Sequence, residues 1–311
     1  MNFIVLRRYT PADHALVGEF LTSTFRPGNL DGNWLRPAWD YMHSHPSLDV
    51  SSLGRIGIWE ESGRIVAVAN YESTLGEAFL QIHPDYQHLK GGMIHYAEDH
   101  LSAATGNGDS ILRLYINDFD LDGEVVASSR GYSVSEQGTR PVSELSIPPT
   151  VPPSHLPRGF TLKSLADDND LIKVNRVLWR GFNHEGTPPS EGIAWRRKVQ
   201  SSPSFRKELT IVVEAPSKDF VSFCGMWYED RNKLAYIEPL ATDPDYRQMG
   251  LAKAAVWEGI RRCKVLGAQV AFVGSDEEFY RAIGFARSYA SRPWVKTIPN
   301  SRGVMESGPH A

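Results

Sequence analysis

Apolar and polar positions change period several times along the chain, and each change marks an element. Thr10-Pro11-Ala12-Asp13 reads as a helix entry: a hydroxyl N-cap, proline at the first helical position and an acid in the first turn. Leu16, Phe20 and Leu21 continue it as a helical stripe. Residues 26–49 are rich in Gly, Pro, Trp and His, with a short helical patch around Ala38 to Met42. Two apolar runs, 55–60 and 64–71, flank the turn Glu61-Ser62-Gly63 and predict a hairpin. A strand at 78–82 leads through His83-Pro84-Asp85-Tyr86 into a helix reaching about Leu101. A strand at 111–116, a short helix ending at Gly131-Tyr132 and one or two closing strands to about Ile147 complete this half.

The second half repeats that order. A strand at 160–162 precedes helices at about 168–182 and 190–200, and three strands follow at 210–214, 220–228 and 234–241. Asp243-Pro244-Asp245-Tyr246 then opens a helix with Ala252, Val256, Ile260 and Cys263 on one face and Gly267 as its cap. A strand at 269–273 is followed by Ser275 to Glu278, which reads as a capping box opening a short helix that ends at Gly284-Phe285. His83-Pro84-Asp85-Tyr86 and Asp243-Pro244-Asp245-Tyr246 match at an offset of 160, so the chain reads as a tandem duplication of one α/β domain. Between the copies, residues 147–157 hold five prolines in eleven positions. That composition predicts a semi-rigid extended spacer. The expected spans are 1–147 for the first domain, 148–158 for the linker, 159–298 for the second domain and 299–311 for a flexible tail.

Composition narrows the classes. Hydrophobic content of 41% and charged content of 23% suit a soluble globular protein. A formal net charge of −4 gives no electrostatic footprint for nucleic acid, and no basic run suggests a membrane surface. The first residues are too short and wrongly flanked for a signal peptide, so the expected location is cytoplasmic. Two cysteines, Cys224 and Cys263, fall in apolar stretches and read as core residues. His95 and His100 are five apart, not the four that aligns two ligands on a helix, and no metal is assigned.

Candidate chemistry gathers in the stretch from Lys233 to Ala255. An apolar strand there hands over to a helix through a turn containing Gly250, which leaves free amide groups at the positive end of a helix dipole. Such an end binds phosphate. Pro239 interrupts the strand and predicts a bulge or splay, freeing backbone groups of Leu240, Ala241 and Thr242. The pattern R-x-x-G-x-A at Arg247 to Ala252, after a strand ending in D-P-D-Y, resembles the pyrophosphate loop of the GCN5-related N-acetyltransferase (GNAT) family. Phe279-Tyr280-Arg281-Ala282-Ile283-Gly284-Phe285 is similar to that family's Y-x-x-x-G-F motif.

The resemblance implies an α/β fold of two tandem GNAT domains, each a central mixed, mostly antiparallel sheet flanked by helices. It implies acetyl-CoA as donor and direct transfer to a primary amine of a small molecule in a ternary complex. In those terms Arg247, Gln248, Met249, Gly250, Leu251 and Ala252 hold the pyrophosphate, and Leu240, Ala241 and Thr242 pair with the pantetheine arm and acetyl carbonyl. Glu238 is either the general base, directly or through water, or an ordinary strand glutamate; Tyr280 is either the general acid beside the sulfur or a core tyrosine. Trp179, Trp195, Trp227, Tyr228 and His184-Glu185 are candidate walls of the acceptor site. The first copy carries Lys90 at the glycine position, Gln87 for the arginine, Ala78 opposite Glu238 and Ala127 opposite Tyr280, and so reads as degenerate. It keeps Gly91 and Gly92. A homodimer is compatible with this reading. Two alternatives stand beside it: another acyl donor on the same scaffold, and a non-catalytic acyl-CoA-binding sensor or assembly module.

Overall fold

The structure, a computed structural model, describes residues 3–300. Most of the expected flexible tail, from 301 on, lies outside the described residues. Contacts divide the chain into two compact units. The first contains the described residues up to Trp34, Ser47–Arg140 and the described residues from Tyr289 on; the second contains Leu35–Pro46 and Pro141–Ser288.

In chain order the elements of the first half are β1 (Ile4–Arg8), α1 (His14–Thr24), α2 (Arg36–Ser44), β2 (Gly57–Glu61), β3 (Arg64–Asn70), β4 (Glu77–Ile82), α3 (Lys90–His100), β5 (Ala103–Ala104), β6 (Ser110–Asn117), α4 (Leu121–Ser129), β7 (Ser133–Val134) and β8 (Arg140–Ser146). The second half supplies β9 (Thr161–Ser164), α5 (Leu171–Gly181), α6 (Gly192–Gln200), β10 (Ile211–Glu214), β11 (Phe220–Glu229), β12 (Leu234–Thr242), α7 (Leu251–Val265), β13 (Val270–Val273), α8 (Glu278–Ala282) and β14 (Ala286–Ile298). The expected entry at Thr10 forms a capping box with Asp13 ahead of α1, and Val17, Phe20 and Leu21 are buried there, but Leu16 faces solvent. The short helix α8 begins differently from the expectation. Its N-cap is Glu277, and Ser275 Oγ instead accepts the Glu277 amide at 3.2 Å.

The first unit's sheet runs β1-β2-β3-β4-β6-β14 and the second unit's β8-β13-β12-β11-β10-β9. Each is antiparallel except for one parallel pair, β4 with β6 and β12 with β13. The last strand of each sequence half pairs in the other half's sheet: β8 runs antiparallel to β13, and β14 from Ser291 runs antiparallel to β6. The expected spans therefore describe the sequence repeat, whereas the packed units exchange these strands together with α2. The proline-rich segment is no free spacer. Arg261 Nη2 on α7 donates to Pro152 O at 2.9 Å, Lys264 Nζ bonds the carbonyls of Pro148 and Pro149, and Val151 and Leu156 pack against the core.

Both faces of the second sheet are covered. α7 packs Val256, Ile260 and Cys263 over Val221, Met226 and Ile237 on one face. On the other, Val174, Val177 and Leu178 of α5 meet Val212, Phe220, Phe223 and Ala241. The spacing i, i+3, i+4 is what gives α5 its single apolar stripe. Asp170 caps that helix, accepting from the amides of Ile172 and Lys173. Among the described residues no helix is long and apolar enough to cross a membrane.

Candidate functional site

The expected break in β12 is present. β11 pairs Cys224 with Leu240 and Met226 with Ile237, so Glu238 and Pro239 together oppose the single residue Gly225. Two residues against one is a bulge. Only glycine fits opposite it, because a Cβ on Gly225 would come within 2.3 Å of Glu238 O. Pairing of β12 with β13 ends at Ile237, so from Glu238 onward the two parallel strands part. Among the described residues, Leu240, Ala241 and Thr242 keep β11 on one side and have no strand on the other, although Thr242 O accepts from Arg247 Nε at 3.2 Å.

The turn after β12 is pinned from below. Arg180 of α5 holds buried Asp243 with two bonds, Nε to Oδ2 at 2.5 Å and Nη2 to Oδ1 at 2.8 Å. Burial pushes the Asp243 carboxyl up, but these bonds outweigh it and hold the group below its ordinary value. Arg247 folds back on the same helix, Nη2 donating to Gly181 O at 2.9 Å and to Asn183 Oδ1 at 2.7 Å. Its side chain thus braces the loop, and its amide donates to Pro244 O. Gln248 and Gly250 follow with φ of 62° and 78°, and α7 starts at Leu251. Among the described residues, none of the amides from Gln248 to Lys253 donates to a backbone carbonyl. A left-handed residue before right-handed ones turns successive N–H groups into an anion-binding nest. No heavy atom lies within 4 Å of a Cβ placed on Gly250, so glycine serves the backbone angle and the space before the nest is open.

Tyr280 sits on α8, buried between Phe279 and Phe285 at ring distances of 5.1 and 5.7 Å. Burial pushes its hydroxyl well above the ordinary tyrosine value, and Cys224, Glu238 and Glu277 add to the effect. The phenol is therefore held protonated, within electrostatic reach of Glu238 where β12 opens. Glu238 itself is half-buried. Its carbonyl accepts from Trp227 Nε1 at 2.8 Å. Both cysteines are buried, and desolvation pushes both thiols up, which leaves no ready thiolate nucleophile.

Among the candidate acceptor walls, Trp227 adjoins Glu238. Tyr228 instead donates to Leu266 O at 2.7 Å, at the end of α7, and Trp179 stacks on His184 with its Nε1 bonded to Glu185 O. Two further aromatic rings reach Trp227, Tyr41 of α2 at 5.9 Å and Phe205 at 5.7 Å. Sequence reasoning missed both. Phe205 lies between predicted elements, and Tyr41 belongs to a segment assigned to the other domain.

Comparison with known proteins bears on the family and the fold. Residues 175–289 match the Acetyltransferase (GNAT) family. No curated protein matches the chain by sequence. Among solved structures, a GCN5-related N-acetyltransferase from Sphaerobacter thermophilus shares 18% identity at a TM-score of 0.62, over 96% of each chain. A tandem GNAT protein from the clavulanic acid biosynthesis pathway shares 13% identity at a TM-score of 0.64, over 96% of this chain and 100% of that one. At these identities the likeness is one of fold.

Proposed function

We propose that the chain, a tandem two-domain protein of the GNAT superfamily, is an acyl-CoA-dependent N-acyltransferase whose working site lies in the second unit. In the finer reading the donor is acetyl-CoA and the acceptor is the primary amine of a small molecule. The observation that carries this is the meeting of three features at one end of β12: an unpartnered strand edge, an open nest of amides and a protonated tyrosine.

Acetyl-CoA supplies the thioester. The amides of Gln248 to Ala252 suit its pyrophosphate, with Arg247 fixing the loop that presents them, and the edge at Leu240 to Thr242, which β13 does not pair, suits its amide-bearing arm. Glu238 takes a proton from the incoming ammonium, directly or through water, so that the amine lone pair attacks the thioester carbonyl. As the C–N bond forms and the C–S bond breaks, Tyr280 gives its proton to the departing sulfur. With both thiols buried, transfer is direct in a ternary complex. We place the reaction in the cytoplasm, with no nucleic acid or membrane partner, and allow a homodimer.

The test is release of free coenzyme thiol from acetyl-, longer acyl- and aminoacyl-CoA donors across a panel of primary amines. Acetyl-CoA is expected to turn over fastest. Faster turnover with another donor replaces the acetyl assignment, and binding without transfer to any amine favours a coenzyme sensor.

A further inference from the structure

One arginine of the second unit carries a charge that the fold leaves unanswered. Among the described residues, every other arginine that is not exposed reaches a carboxylate. Arg196, half-buried on α6, forms no ion pair among the described residues. Its Nε donates to Asn175 Oδ1 at 3.3 Å, and Asn175 is itself buried on α5 and oriented by its Nδ2 bond to Pro189 O. Desolvation lowers the guanidinium's affinity for its proton, and the opposing influence on it comes from Tyr41. A charge kept from water without a counter-charge is costly in a fold, and a binding site is where such a cost is offset by ligand.

The neighbours of Arg196 place it on the face where an acceptor would enter. α6 packs against α5 and α2, and both of those pack on β11 and β12. Tyr41, on α2 which packs against α6, lies edge-on to Trp227, which in turn donates to the carbonyl of Glu238. With Nε engaged, the two terminal amino groups remain, and that edge of a guanidinium matches two oxygens of one anion. The local charge also sets the anion's valence. Lys198, two positions along α6, donates to His45 O at 3.4 Å, and Arg197 is exposed. The single guanidinium brings one positive charge, which matches a carboxylate better than a phosphate dianion.

We propose that Arg196 binds a carboxylate of the acceptor, so that the amine acylated in the second unit is an amino acid or another carboxylate-bearing amine, lying against Tyr41, Trp227 and Phe205. This rests on the acyltransferase reading above. Asn175 is the positioning residue that orients the guanidinium.

The experiment compares matched acceptors with acetyl-CoA as donor: L-phenylalanine with phenethylamine, L-leucine with isoamylamine, and γ-aminobutyrate with propylamine. The wild type is expected to prefer the carboxylated member of at least one pair by about tenfold or more in kcat/KM. Arg196→Gln removes the preference mainly by raising KM for the carboxylated member, Arg196→Lys restores part of it, and acetyl-CoA affinity measured by calorimetry stays at the wild-type value in both variants. Transfer without a carboxylate preference, or a preference that survives Arg196→Gln, overturns this assignment and leaves the acyltransferase reading standing. Transfer to no member of any pair, with acetyl-CoA bound, counts against both.

Discussion

In the second unit β12 leaves β13 after Ile237, and among the described residues the strand edge beyond it has no partner strand; in the first, β4 leaves β6 after Ala78, and the chain fills the gap itself. Asn33 does the filling. Its Oδ1 accepts the Ile82 amide at 2.7 Å and its Nδ2 donates to Ile82 O at 3.1 Å, while the Trp34 amide donates to Gln81 Oε1 at 2.7 Å. The turns that follow differ in the same sense. Residues 84–89 are 3-10 turns, kinked at Tyr86, that lead directly into α3, and the Lys90 amide is spent on Gln87 O. No residue there has positive φ, so no nest forms. The Lys90 ammonium is buried and lies 2.7 Å from Asp120, which caps α4, and α3 packs directly on α4. One topology thus yields an open groove in one copy and, in the other, a groove whose polar groups are already satisfied from within. On the proposed reading, coenzyme binding depends less on the fold than on a few backbone groups that no strand pairs.

The largest expected effect comes from disturbing the open copy. Gly250→Glu places a negative side chain at a left-handed position facing the nest, and is expected to abolish acetyl-CoA binding in a calorimetric titration. Lys90→Met, at the matching position of the first copy, is expected to leave that affinity unchanged. It removes the partner of a partly exposed Asp120, so unfolding by denaturant should show a loss of about 1–3 kcal/mol.

Next comes Tyr280→Phe, which keeps the ring packing and removes the proton donor. The expected result is a fall in kcat of about 10²–10⁴-fold with acetyl-CoA affinity intact. Equal loss of affinity and rate would reassign the tyrosine to binding. Asn33→Ala should act on stability alone. The Ile82 N–H and C=O lose their side-chain partner in a buried place, for a loss of about 1–3 kcal/mol in the unfolding free energy from a denaturant titration, with no gain of a second coenzyme site.

The smallest effect is on the pH dependence of stability. Burial raises the Tyr280 hydroxyl in the folded protein, so the folded state holds this proton more tightly than the unfolded chain. Stability from this group is complete below the unfolded value of about 10 and is lost as pH rises beyond it. Thermal melts should therefore be flat in this respect from neutrality to about pH 10, and Tyr280→Phe should soften the decline above it.

Much of this comparison was legible in the chain, because the elements that carry it are local. The D-P-D-Y turn, Gly250 before a helical stripe and Pro239 inside a strand each announce their conformations by backbone chemistry. The substitutions Lys90, Ala78 and Ala127 marked the first copy as altered. Residues brought from a distance carried no such signal. Asn33 sits in a stretch with no periodicity, and nothing near it shows that it will pair with a strand some fifty positions on. Tyr41 and the exchanged strands β8 and β14 are likewise placed by long-range pairing, which a local pattern does not encode. Arg196 looks like any helix arginine until the structure shows that, among the described residues, no carboxylate answers it.

A crystal structure of the whole chain grown with acetyl-CoA tests the central claim most directly. The account predicts one coenzyme per chain, its pyrophosphate on the amides of Gln248 to Ala252 and its arm along the open edge of β12, with Asn33 still bonded to Ile82. Coenzyme bound in the first unit, with Asn33 displaced and the second groove empty, would contradict it.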